Sequence, residues 1–226
     1  MGEYSQPLLD SNYTSIGVTL YILLSYAKIK STNGYEEMEL ILIRHGESLG
    51  NYLKGEDAVY TGRWDCDLTE LGYEQAKKVI GSPLLENIDA WYCSNLKRAI
   101  ETAKTITDRD LIIDPRLQER SLGEFEGMKI ESVKKDPRYL KYFTDPQFMQ
   151  FRSSFTQKAP SGENYGDVCV RAESFLQELA SKDYKRVAIV THFCVIRCIV
   201  KILNNLSEEE TLSLKVSNCD PICVQL

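Results

Sequence analysis

The sequence predicts an α/β fold: a three-layer sandwich with a mainly parallel central sheet covered by helices on both faces. Three observations lead there. Short apolar runs alternate with amphipathic helical stretches, the order that builds parallel sheets. The chain has 226 residues, 43% of them hydrophobic and 27% charged, enough to bury a core in one domain. Two of the apolar runs, "LILIRHGES" (40–48) and "RVAIVTH" (186–192), end abruptly in polar groups. In open α/β sheets ligands bind beyond the carboxyl ends of the strands.

Residues 1–37 are expected to be an accessory N-terminal extension to the main domain over 38–226. The run "IGVTLYILLSYA" (16–27) is apolar but only about twelve residues long, and a membrane span needs about 20. Glu3 and Asp10 precede it, with no Lys or Arg, so a signal peptide's positive start is missing. Gln6 stands where a myristoylation signal wants Ser or Thr. An extra strand or helix packed on the domain is the first expectation, a weak membrane-surface contact the second.

The domain then reads in order. "MELILIRH" (38–45) is a buried strand. The stretch 69–81 is a helix, capped by Thr69, with apolar Leu71, Ala76, Val79 and Ile80, and ended by Gly81. Residues 88–94 form a strand, 96–106 a helix, and "LIID" (111–114) a strand stopped by Pro115. A long amphipathic helix spans 165–180, a strand 186–192 and a mostly buried helix 194–203. Ser207 caps a helix over 207–214 with three glutamates in its first turn, where the helix dipole favours them. "PICVQL" (221–226) reads as a last strand.

The formal net charge of -6 excludes a general nucleic-acid binder, which needs a basic face. It leaves room for a local basic site for an anionic substrate. Cys66, Cys93, Cys169, Cys194, Cys198, Cys219 and Cys223 are an odd, scattered set, which fits a reduced, cytoplasmic setting. His192, Cys194 and Cys198 lack the paired-cysteine spacing of a zinc knuckle. Cys194 and Cys198, one helical turn apart, read as small core residues. No metal and no cofactor are expected. The chain's two histidines, His45 and His192, both follow strand-like runs.

"RHGESLGN" (44–51) resembles the signature of the histidine phosphatase superfamily, also called phosphoglycerate mutase-like. Further motifs follow in order: "DCDLTELGYEQA" (65–76), "YCSNLKRAIETA" (92–103), "LQERSLGEFEG" (117–127), "PSGENYGDVCVR" (160–171) and "VTHFCVIR" (190–197). The resemblance covers residues 38 to about 204. It implies a nucleophile at His45, which would form a phosphohistidine and split one hard step into two. Arg44 and Arg98 would hold the phosphoryl oxygens, because a guanidinium fork matches them and stays charged. His192 would be a third cationic donor and Asn51 a neutral one. Glu119 would protonate the leaving oxygen and then activate water. Gly46 would let the backbone approach the phosphate. Ser94 is either a phosphate contact or a strand end.

The chain departs from the family pattern in places. Phe193 stands where glycine usually follows the second histidine, and its bulk would narrow the pocket or shift a phosphate-facing amide. Asp67 stands where proline is common. Arg120 in "ERSLG" is similar to the mutase branch, yet Ser121 and Leu122 do not continue that version, and a mutase's Pro-rich stretch is missing. The first reading is a metal-independent phosphomonoester hydrolase acting on a phosphorylated small molecule or a phosphoprotein. The alternatives are a phosphoglycerate mutase-type phosphotransferase and a non-catalytic phospholigand-binding module.

A small helical lid insertion is expected over about 128–160, where the family usually places its substrate-covering helices. Residues 128–158 carry seven Lys or Arg against three acids, with six interleaved aromatics. One reading is a packed subdomain with solvated cations. The other is a lid that attracts an anionic substrate, with Arg152 the first candidate to point inward.

Overall fold

Five strands form one sheet in the order β3–β2–β4–β1–β5: β1 (Glu39–Arg44), β2 (Ala90–Cys93), β3 (Leu111–Ile113), β4 (Arg186–Thr191) and β5 (Ile222–Gln225). The structure, a computed structural model, describes residues 38–226, and all statements here concern those residues. The accessory segment expected over 1–37, with its apolar run, lies outside them. Four strands pair in parallel, and β5 closes one edge antiparallel to β1.

Because β1 and β4 are covered on both faces, their sequences are apolar at successive positions rather than alternating. The pleat divides those residues between two cores. Leu40, Leu42, Val187 and Ile189 pack on one side with α6 (Tyr165–Leu179) and α7 (Phe193–Asn204). Ile41, Ile43, Ala188 and Val190 pack on the other with α2 (Glu70–Lys77) and α3 (Lys97–Ile106). The three-layer sandwich follows. A capping box of Asn164 and Asp167 starts α6, and one of Ser207 and Glu210 starts α8 (Glu208–Ser213). Among the described residues no helix is long and apolar enough to cross a membrane.

One element is shorter than its sequence pattern. Helix α2 ends at Lys77 rather than running to Gly81, and Leu71 and Ile80 are exposed. Its inward side is Gly72 and Ala76. The reason is a close approach: a Cβ on Gly72 would sit 2.1 Å from the carbonyl oxygen of Glu47, and one on Gly46 would sit 2.4 Å from that of Gly72. The helix is pressed backbone to backbone against the loop after β1, so its larger apolar residues are turned outward. Gly46 is thus explained by its contact with α2.

Residues 128–160 hold two short helices, α4 (Ile130–Lys135) and α5 (Lys141–Thr144), joined by a 3-10 turn and followed by bends. They enclose a third core built on aromatics. Phe125 is fully buried, and its ring meets those of Tyr60, Tyr139, Tyr142 and Phe151 at 5.0–5.5 Å.

Candidate active site

The register of the central strands determines the site. Arg44 pairs with Thr191 across β1 and β4, so the next residue on each strand, His45 and His192, leaves the sheet at the same level. The amide of His45 donates to the carbonyl of Thr191 at 3.0 Å, and the two imidazole centroids lie 5.0 Å apart. Both rings are buried, at 3% and 0% exposure.

His45 is held in one tautomer. Its Nδ1 lies 2.7 Å from the carbonyl oxygen of Gly46, which can only accept, so Nδ1 carries the proton. The lone pair is left on Nε2, which accepts from Arg98 Nε at 3.2 Å. Burial, then the charges of Arg98 and Arg44, push the His45 pKa well below its usual value. The ring is therefore neutral and nucleophilic near pH 7. Gly46 is fixed in turn, its amide donating to Thr102 Oγ1 at 3.0 Å.

Arg98 is 1% exposed, although it sits on a helix that could have turned it to solvent. Two carbonyls aim its guanidinium, Gly62 at 2.8 Å and Trp64 at 3.0 Å. Arg44 donates to the carbonyl of Val216 at 2.7 Å, and its Nε is buried without a hydrogen-bond partner. Burial opposes the charge on both arginines, and Glu119 is the strongest influence in its favour.

His192 differs from expectation. Burial, then Arg98, depress its pKa well below the usual value, so it enters the site as a neutral donor rather than a third cation. Its Nε2 lies 2.8 Å from Ser94 Oγ, which also accepts from the amide of Leu96. In the tautomer in which the Ser94 hydroxyl donates to Nε2, the proton of His192 sits on Nδ1. That Nδ1 is buried and has no partner among the described residues. An unsatisfied buried N–H is costly, and a phosphoryl oxygen is the acceptor that would satisfy it. Ser94 thus orients the histidine.

Phe193 does not fill the pocket. Its ring lies between two guanidinium groups, 5.1 Å from Arg44 and 4.0 Å from Arg197. Arg197 is itself tied to the carbonyl of Leu214 and the hydroxyl of Tyr165. The bulky residue acts as a plate against which Arg44 rests. Cys194 and Cys198 pack against Tyr165 in the core.

The carboxylate of Glu119 accepts from the amides of Arg120 at 2.7 Å and Cys194 at 3.2 Å. Asn51 sits in the first helix, α1 (Leu49–Tyr52), where its Oδ1 accepts from Ser48 and its Nδ2 remains as the donor end. Asn51, Gly62, Glu119 and Cys194 line one cavity of about 350 Å³, with Lys54, Tyr60 and Arg152 further out. The structure thus brings together Arg44, His45, Arg98 and His192, with Glu119 and Asn51 on the adjoining cavity.

The sequence profile of the histidine phosphatase superfamily (branch 1) matches residues 40–226. The chain belongs to that superfamily. Relatives of two kinds match this superfamily member. A Hydrogenobacter thermophilus protein named as a phosphoserine phosphatase is 31% identical over 79% of this chain and 85% of its own length. A 2,3-bisphosphoglycerate-dependent phosphoglycerate mutase of Rhodococcus jostii is 32% identical over 84% and 85%. Among solved structures, the alpha-ribazole phosphatase of Shigella flexneri superposes with a TM-score of 0.68 at 25% identity, covering 82% of this chain and 89% of that one. A mycobacterial glucosyl-3-phosphoglycerate phosphatase shares the fold at 22% identity, with a TM-score of 0.66 over 80% and 86%.

The residues that hold this site in place were not among those expected from the sequence. Asn218 Nδ2 donates to the carbonyl of His45 at 2.6 Å, reaching from 173 residues away. Glu163 accepts from Arg63, Arg171 and the amide of Ser121, and both arginines also donate to the carbonyl of Glu119. The loop that carries Glu119 is thereby clamped from three sides. Glu163 and Arg171 lie inside the "PSGENYGDVCVR" motif, which was the available signal. Asn218 lies in no motif.

Proposed function

We propose that the chain is a phosphomonoester hydrolase that works through a phosphohistidine on His45 and needs no metal ion. The observation that carries this reading is the pairing of a neutral His45, its Nε2 lone pair facing a guanidinium, with a buried Arg44 Nε–H and a buried His192 Nδ1 that have no partner among the described residues. Such a site is short of an anion and already holds a nucleophile.

In this reading a phosphoryl oxygen replaces Nε2 as the acceptor for Arg98 Nε–H. His45 Nε2 then bonds phosphorus while the ester P–O bond breaks. Charge spreads onto oxygens held by Arg44, Arg98, His192 Nδ1–H and Asn51 Nδ2. Glu119, as the acid, gives its proton to the leaving oxygen. Its carboxylate then takes a proton from water as the water oxygen attacks phosphorus, which returns His45 to its starting state. The two arginines supply the positive charge for which other phosphatases use a metal, so turnover should persist in a chelator.

The relatives named as phosphatases favour hydrolysis. The mutase relatives favour a second reading, in which the phosphohistidine passes its phosphoryl group back to an acidic sugar-derived acceptor. The test is a phosphate-release screen over sugar phosphates, glycerate phosphates, nucleotides and phosphopeptides, with and without a glycerate phosphate acceptor. The hydrolase reading expects release of inorganic phosphate to water. Transfer without release supports the mutase, and binding without either supports a non-catalytic phospholigand module.

A further inference from the structure

The lid carries seven basic residues over 128–158, and the structure separates them. Lys129 pairs with Asp57, Lys134 with Glu131, Arg138 with Asp136 and Lys158 with Asp167. Lys141 lies over the rings of Tyr142 and Phe148. Lys135 is exposed and lines neither lid cavity. Arg152 is the remaining one. It is in no ion pair among the described residues, and it lines the cavity that also holds Glu119 and Asn51.

Its side chain is exposed at the cavity wall, and its backbone is fixed. Arg120, the residue similar to the mutase branch, gives its guanidinium to the carbonyls of Phe151 at 2.8 Å and Arg152 at 2.9 Å, over the ring of Tyr165. Arg120 therefore clamps the end of the lid. Phe151, on one side of that clamp, is buried in the aromatic core. The Arg152 guanidinium lies 5.6 Å over the ring of Tyr60. Tyr60 and Arg152 form, with Ala58 and Ile130, the wall shared with a second cavity of about 440 Å³. Lys54 lines the first cavity too, and it is likewise in no ion pair among the described residues. Glu119 is the one carboxylate on that cavity's wall, and the hydrolase reading assigns it to the leaving oxygen.

We infer that Arg152 and Lys54 form a second anion subsite, so that the preferred substrates are phosphomonoesters whose alcohol part bears a further carboxylate or phosphate. This rests on the hydrolase reading and names its substrate class. Both cations are exposed, and a singly anionic ester would leave them facing solvent. A doubly anionic one would place its second group against them, at a wall that Arg120 holds rigid. The apolar face of Tyr60 and the side chain of Ile130 would pack on the carbon skeleton between the two groups.

The test compares one doubly anionic ester, such as a phosphorylated hydroxy acid, with an aryl phosphate. The proteins are the wild type, Arg152→Gln, Lys54→Gln and, as a control, Lys135→Gln. The ratio of KM for the acid-bearing ester to KM for the aryl phosphate should rise about tenfold in Arg152→Gln, as for loss of a charge-assisted hydrogen bond. It should rise by a smaller factor in Lys54→Gln, and Lys135→Gln should match the wild type. In the wild type the same ratio should climb with salt, because screening weakens attraction to the second anion. Equal ratios in wild type and Arg152→Gln, with aryl phosphate still hydrolysed, would overturn the subsite alone. Failure of every protein to hydrolyse either ester would instead overturn the hydrolase reading on which it rests.

Discussion

At the carboxyl edge of β1 and β4, His45, Arg98 and His192 are buried. Arg98 is aimed by backbone carbonyls rather than by an acid, and Glu119 is the carboxylate that most favours the charge of Arg44 and Arg98. In the lid, cations such as Lys129, Lys134 and Arg138 are exposed and satisfied by partners on the surface. The same residue types therefore do different things. A guanidinium held by neutral carbonyls in a dry place keeps its field for a ligand. One paired in water contributes little to either binding or stability. Local charge counts do not distinguish the two cases; burial and partner type do.

The contrast can be broken or sharpened by substitution. Arg98→Ala should have the largest effect, lowering kcat/KM by about a thousandfold, because it removes both a phosphate donor and the partner of His45 Nε2. An effect below about tenfold would mean that the cradle does not depend on this guanidinium. Glu119→Gln should come next, slowing esters of poor leaving groups by about a hundredfold while an activated aryl phosphate loses far less. Equal loss on both would give Glu119 a structural role.

Phe193→Leu keeps an apolar side chain but removes the face against which Arg44 rests. Inorganic phosphate, titrated calorimetrically, should bind about fivefold to tenfold more weakly, and Phe193→Tyr should restore most of the loss. At the small end, Arg138→Gln in the lid should change kcat/KM by less than about twofold. A larger change would show that the exposed lid cations are not passive.

Proton linkage separates the regions as well. His45 and His192 both have folded-state pKa values depressed below the 6.5 of an unfolded chain. Below that pH the unfolded state holds more protons than the native one, so stability falls as pH drops from about 6.5, and above it these two groups add no pH dependence. Each unit of depression is worth about 1.4 kcal/mol. Denaturant titrations at pH 7.5 and 5.5 should show the loss, and His192→Asn should reduce it. Identical slopes in the two proteins would place the pH dependence elsewhere.

Much of this was legible in the sequence for a physical reason. A β-strand covered on both faces must be apolar at successive positions, so Arg44–His45 and His192 stand out as strand ends. Parallel pairing then brings equal strand ends together. The antiparallel β5, the short α2 and the neutral state of His192 were less accessible. They depend on packing: Gly72 against Glu47, and the burial of His192 beside Arg98. The lid was hardest, because an irregular segment has no period that tells which side chains face inward. Phe125 and Tyr60, its central rings, come from outside the stretch whose composition suggested a lid. Asn218 could be found only by folding the chain, since it supports His45 from far away in sequence.

The central claim is that His45 Nε2 is the atom that takes the phosphoryl group. Rapid acid-free quench of the enzyme with an activated aryl phosphate, followed by peptide mass spectrometry, tests it directly. A phosphate on His45 is expected, acid-labile and absent in His45→Ala, accumulating further when Glu119→Gln slows its hydrolysis. A phosphate found on His192 or on a cysteine, or steady turnover by His45→Ala at near the wild-type rate, would contradict it.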